Sequence, residues 1–235
     1  MNKVSQNTYL KGFTLIETVV VLIVIALLMG AILKGQQLIN ASKEKQLESE
    51  FTNIPLMIYA YQDKYKSIPG DDKNAISRFS GLSIYVKNGN GDGLIDGSEF
   101  DLNPSGENYI IWQHLRFAGL MSGETNLYSS DYLPLNALGK SIHIQSGSGN
   151  ASASPIVDRL GHALRGTYII CFRGIPGEIA NSLDIHLDDG NPATGNMLAT
   201  PDVDNYAVGA ASATVGTNSP TDISPNKQYI VCLGV

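Results

Sequence analysis

From Phe13 to Leu33 the chain reads FTLIETVVVLIVIALLMGAIL, an apolar run carrying a single charge, Glu17. As a helix, about 21 residues at ~1.5 Å each span the hydrocarbon core of a bilayer. Lys3 and Lys11 lie before the run and Lys34 just after it, so its boundaries are sharp. The lysine bias sets the leading residues on the cytoplasmic side and the long remainder outside. After Lys34 the pattern changes but stays helical. Lys43, Glu44, Lys45, Glu48 and Glu50 mark wet faces, while Leu47, Phe51, Ile54, Ile58, Tyr61 and Tyr65 recur every three or four residues as one apolar stripe. The stripe is too short for a coiled-coil seam and ends in tyrosines, which predicts packing onto a sheet. Pro55 inside it predicts a kink, because it removes a backbone donor. Ile68-Pro69-Gly70-Asp71 stops the helix. Residues 13–33 are thus expected to be the transmembrane part of one helix and 34–66 its soluble continuation.

Beyond residue 66 the signals are shorter. Asp71 is a candidate N-cap for a short helix through Phe79. Glu107 to Leu120 predicts a second helix, with Asn103-Pro104-Ser105 before it and Trp112 as a core or interface anchor. Strands are expected at Ser141–Gln145, Thr167–Arg173 and Lys227–Leu233, with Tyr206–Val215 a possible further one. GSGNASASP at 147–155 reads as a low-complexity linker. Helix first and antiparallel strands later predict an α+β domain over 67–235.

Composition narrows the picture. Among 235 residues, 43% are hydrophobic and 16% charged, a balance that excludes wholesale disorder. The net charge is −6, and removing the first 12 residues makes the chain more acidic by taking Lys3 and Lys11. Such a surface repels phosphate backbones, so no nucleic-acid partner is expected. Cys171 and Cys232 are the two cysteines, each in an apolar strand-like stretch. In an exported chain they suggest one disulfide; the alternative is two buried thiols.

An ordinary secretory signal would place a small-x-small cleavage site at the end of the apolar run, and Leu28-Met29-Gly30-Ala31 fits that poorly. A glutamate in hydrocarbon costs several kcal/mol unless paired, so Glu17 marks a function. Lys11-Gly12-Phe13-Thr14-Leu15-Ile16-Glu17 resembles the leader junction of the type IV pilin superfamily, which includes type IV pilins and type II secretion pseudopilins. The resemblance implies removal of residues 1–12 by a prepilin peptidase between Gly12 and Phe13, N-methylation of Phe13, and a long N-terminal helix packed on an antiparallel sheet. It implies that the new Phe13 amine of one subunit pairs with Glu17 of a neighbour as helices stack. Its partners would be other pilin or pseudopilin subunits and the inner-membrane assembly machinery. The expected location is the bacterial inner membrane as a single-pass protein with its C-terminal domain in the periplasm, and then a filament.

Asn88-Gly89-Asn90-Gly91-Asp92-Gly93-Leu94-Ile95-Asp96-Gly97-Ser98-Glu99 matches an EF-hand-type calcium loop. Asn88, Asn90, Asp92 and Asp96 would supply oxygens, Leu94 its carbonyl and Glu99 both carboxylate oxygens. Asn88 stands where Asp is usual, and the flanks do not look like paired helices. The alternative is a Gly/Asn turn cluster that binds nothing. Asp184, Asp188 and Asp189 read as an acidic turn around Asp189-Gly190; the resemblance to pseudopilins, some of which hold calcium near the C-terminus, leaves a second calcium site open, and no spacing here fixes its ligands.

Four histidines, His114, His143, His162 and His186, fall in no metal-ligating or catalytic spacing, and GxSxG, Walker and GxGxxG patterns are absent. An enzyme is not expected. The expected function is a pilin-like subunit of a type II secretion pseudopilus or a type IV pilus. Its size beyond Phe13 favours a minor component. The alternative is a membrane-anchored, calcium-stabilised binding module or adhesin that does not polymerise.

Overall fold

The computed structural model describes residues 14–81, 85–97, 103–150, 153–158, 160–202, 223–224 and 227–235. Gly12, Phe13, Glu99 and the strand expected at Tyr206–Val215 lie outside the described residues. The chain divides into two compact units, Met1–Ser42 and Lys43–Val235. Helix α1 (Leu15–Tyr65) contributes to both.

In the first unit, Leu15, Ile16, Leu22, Ile23, Leu27, Leu28 and Leu33 are all exposed. This end of α1 is long and apolar enough to cross a membrane, a property shared by anchors and signal sequences. The helix continues past the buried Pro55, whose missing N–H leaves the carbonyl one turn back without its usual donor.

In the second unit the apolar stripe of α1 is the spine of the core. Leu47, Phe51, Ile58 and Tyr61 are completely buried and Ile54 nearly so. Each such aliphatic or aromatic side chain contributes about 1.5–3 kcal/mol by leaving water. They pack onto a four-stranded antiparallel sheet of order β1-β2-β4-β3, formed by β1 (Ile142–Ser146), β2 (Tyr168–Pro176), β3 (Met197–Pro201) and β4 (Gln228–Gly234). Phe51 stacks on Phe172 of β2 with ring centroids 3.8 Å apart. Alternation along the strands gives the sheet two apolar faces. Ile170, Phe172, Val231 and Leu233 join the α1 core. Ile169, Cys171, Ile230 and Cys232 form a second cluster with Ile156, Leu164 and Leu198. Cys171 and Cys232 are register partners and are joined by a disulfide.

Helix α2 (Ala75–Phe79) begins later than expected, and Asp71 is not its cap. Asp72 instead accepts the Asn74 N–H at 2.8 Å, and Asn88 accepts the Ile76 N–H at 2.8 Å. Helix α3 (Glu107–Phe117) ends three residues before the expected Leu120. There the Leu120 N–H bonds the Leu115 carbonyl and the Gly119 N–H bonds that of Arg116, with Gly119 at φ +75°. That left-handed glycine closes the helix. Trp112 is fully buried in the core. The 147–155 stretch is more than a linker. Ser154 is buried, donates to the Ile156 carbonyl and accepts the Leu164 N–H at 3.1 Å, which fastens the second apolar cluster. Helix α4 (Gly177–Leu187) and β3, absent from the sequence reading, complete the domain.

Candidate functional site

The 88–97 loop is organised around two carboxylates that lie outside the predicted loop. Asp71 and Glu107 are both almost completely buried. Asp71 Oδ1 accepts the N–H groups of Gly91 and Asp92, the latter at 3.1 Å, and its Oδ2 accepts that of Gly93 at 2.8 Å. Glu107 accepts the Asn90 N–H at 2.7 Å and the Asp96 N–H at 2.9 Å. Gly89 lets the loop press on this segment, since a Cβ there would lie 2.3 Å from the Asp71 Cα. Gly93 has φ +94°, a backbone state that favours glycine and turns its N–H toward Asp71.

Of the predicted ligands, Asn90, Asp92 and Asp96 converge. The Asn90 amide donates to Asp92 at 3.1 Å and Asp96 at 3.0 Å, and its oxygen accepts the Asp92 N–H at 2.8 Å. Asn88 does not join them, because its side-chain oxygen is turned to α2. Leu94 donates its N–H to Asp92 at 3.0 Å and keeps its side chain exposed. The other end of the loop is pinned to β1, where Ile95 and Ser146 exchange bonds of 2.8 and 3.2 Å.

Asp71, Asp92 and Glu107 each offer an oxygen within 4.8 Å of the others. Burial raises the pKa of Glu107, and the negative charges of Asp71 and Asp96 raise it further against the lowering effect of its two N–H donors. A centre of this kind gathers more negative charge than its backbone donors balance. With hard oxygens only, it suits a cation of the calcium or magnesium type rather than a thiolate- or imidazole-seeking metal. Sequence reasoning missed Asp71 and Glu107 because both look like helix-start residues, and only the tertiary fold brings them to the loop.

His114 supports the same region from below. It is fully buried on α3; Nδ1 accepts the Gly70 N–H at 2.9 Å, and Nε2 lies 2.8 Å from the Lys87 carbonyl. One nitrogen accepting and the other donating defines a neutral imidazole, and burial lowers its pKa. His114 therefore clamps the segments on both sides of α2, next to Asp71 and Asn88.

No protein-family model, curated protein or solved structure matches this chain. Any functional reading therefore stands on the residues themselves.

A second acidic group, Asp184, Asp188 and Asp189, gathers where α4 meets the turn to β3, again with oxygens within 4.8 Å of one another. Both groups could hold a metal ion. In the N-terminal unit, Glu17 sits in the first turn of α1. The Glu17 N–H donates to the Thr14 hydroxyl at 3.4 Å, while the Glu17 carboxylate accepts from the Thr14 N–H at 3.4 Å. This reciprocal pair is a capping box, which satisfies orphan donors at the start of the helix.

Proposed function

We propose that this chain is a pilin-like structural subunit. A prepilin peptidase cuts it between Gly12 and Phe13, Phe13 is N-methylated, and the processed chain assembles from the inner membrane into a type II secretion pseudopilus or a type IV pilus as a minor component. The observation that carries the reading is Glu17, the one charge in the Phe13–Leu33 run, five residues into the processed chain. A carboxylate there pairs with the positive amine of a neighbouring subunit, and apolar burial along 18–33 supplies the rest of the association. The continuation of α1 into the buried spine of an α+β domain supports the same reading.

Calcium is the proposed ion of the 88–97 loop, with Asp71, Asp92, Asp96 and Glu107 as acidic donors and Asn90 and the Leu94 carbonyl as neutral ones. Its role is structural: it offsets buried negative charge and holds a loop lying between α2 and α3.

The capping box also favours a second reading. It gives Glu17 an intramolecular role, which suits a membrane-anchored, calcium-stabilised binding module that does not polymerise. Assembly separates the two. Expressed beside a working assembly system, the wild-type chain is expected to cross-link into ladders with other subunits, while Glu17→Val remains a processed, unassembled membrane protein. Equal cross-linking of both would contradict the subunit reading.

A further inference from the structure

Arg116 is a buried cation without a counter-ion. It stands in the last turn of α3, is 8% exposed, and among the described residues no carboxylate forms an ion pair with it. Nη1 donates to the Glu124 carbonyl at 2.6 Å, while Nε is buried with no partner. Burial lowers its pKa, and Tyr132, Glu124 and Tyr109 offset this in part. A guanidinium keeps its proton under such conditions. The helix end favours a positive charge, and the Tyr132 ring centroid lies 5.0 Å from the guanidinium carbon, yet neither is an anion. A desolvated charge left in this state is destabilising, so the position is suited to an anion from outside the fold.

Glu124, eight residues on, does not serve. Its Oε1 accepts the N–H groups of Thr125 and Asn126 at 2.7 and 2.8 Å, which folds the carboxylate back on its own turn. Gly123 lets that turn lie against the guanidinium. It has φ +135°, and a Cβ there would lie 2.7 Å from Arg116 Nε. Arg116 forms part of the wall of a cavity of about 540 Å³. Met121, Leu133, Pro134 and Leu135 give the same cavity an apolar wall, and Ser130 and Asp131 line it as well. Leu135 is 61% exposed. A pocket of this size that joins an apolar wall to an unpaired charge has the make-up of a ligand site.

We propose that this cavity binds the free C-terminal carboxylate of a peptide whose last residue is apolar. The carboxylate pairs with Arg116, whose guanidinium has donors to spare and the planar shape that suits two oxygens. The last side chain lies on the wall made by Leu133, Pro134 and Leu135, and its burial supplies the apolar part of the binding. Asp131 decides between carboxylate ligands. A fatty acid brings a negative head and no donor, so the Asp131 carboxylate repels it. A peptide end carries a backbone N–H beside its carboxylate, which Asp131 or the Ser130 hydroxyl accepts. Recognition of this kind does not depend on how the chain is anchored or assembled.

The test is fluorescence anisotropy with the full chain in a non-ionic detergent and labelled tetrapeptides ending in leucine, phenylalanine or valine. Each peptide is prepared as the free acid and as the C-terminal amide. At least one free acid is expected to bind, and its amide to bind about tenfold more weakly. Arg116→Gln is expected to lose that preference. Leu135→Glu changes an exposed side chain, so it is expected to keep the wild-type melting temperature while binding the free acid about tenfold more weakly through like-charge repulsion. No saturable binding of any free acid at about 1 mM would overturn the proposal. So would equal binding of acid and amide, an unchanged preference in Arg116→Gln, or wild-type affinity in Leu135→Glu. Displacement of the peptide by octanoate at equal affinity would assign the cavity to simple carboxylates and refute the peptide.

Discussion

Glu17 accepts hydrogen bonds from both the N–H and the hydroxyl of Thr14, at 3.4 and 3.3 Å. The pair gives this carboxylate a duty within its own helix, the cap, which is separable from the pairing with a neighbouring subunit that we propose for it. A glutamine at this position retains the cap, because its side-chain oxygen still accepts, but it removes the charge. Glu17→Gln in detergent is therefore expected to keep wild-type helicity by circular dichroism and to lose assembly as fully as Glu17→Val. An assembled Glu17→Gln filament would mean that the cap, rather than charge pairing, is what the position serves.

Asp71 holds three loop N–H groups, while Asn88 holds one at α2. Their substitutions should differ in kind. Asn88→Ala is expected to cost about 1 kcal/mol, the usual effect of a lost cap, and to leave any rise in melting temperature on adding calcium intact. Asp71→Ala leaves buried donors unsatisfied, at roughly 1–3 kcal/mol each, and should abolish the part of the calcium response that belongs to this loop. Calorimetry of both variants with calcium and with chelator checks the difference. A normal calcium response in Asp71→Ala combined with a lost one in Asn88→Ala would restore Asn88 as the ligand.

The contrast between these two residues shows what was legible in the chain. Periodicity alone placed α1 and its buried stripe, because each turn of the helix repeats the same choice between core and water. The cysteine stretches placed β2 and β4 for a similar reason. The loop was readable as a pattern of glycines and oxygens, but its register partner was not. Asp71 lies 17 residues before Asn88 in sequence, and only the turn through α2 brings it under the Gly91–Gly93 N–H groups. Glu107 is hidden in the same way at the start of α3. α4 escaped notice because Ile179, Ala180 and Leu183 give only a brief apolar face, bracketed by Pro176 and the Asp188-Asp189-Gly190 turn.

His114 makes stability depend on pH in a defined direction. Its folded-state pKa lies below the ordinary histidine value because the site is buried. The unfolded chain takes up a proton as pH falls through about 6.5, while the folded one resists. The contribution of His114 is therefore complete above that pH and lost progressively below it, down to the depressed folded value. The melting temperature of wild type should fall on acidification from pH 7 to 5 more steeply than that of His114→Gln. Parallel curves for the two proteins would show that this imidazole is not held neutral.

The Cys171–Cys232 disulfide joins directly paired positions of β2 and β4 across a separation of 61 residues. In the chain-entropy account, a loop of that length stabilises the fold by about 4 kcal/mol. Cys171→Ala with Cys232→Ala is expected to lower the denaturant midpoint accordingly, and strong reductant should have no further effect on the variant. A midpoint unchanged from wild type would mean that the α1–sheet core already fixes this pairing.

The most direct measurement is the N-terminus of the chain recovered from bacterial membranes that contain a prepilin peptidase. N-terminal sequencing with intact mass is predicted to show a protein that begins at Phe13, carries one added methyl group and lacks residues 1–12. The same preparation of Gly12→Val should retain the leader. A wild-type chain that still begins at Met1, or one cut after the apolar run, would contradict the account.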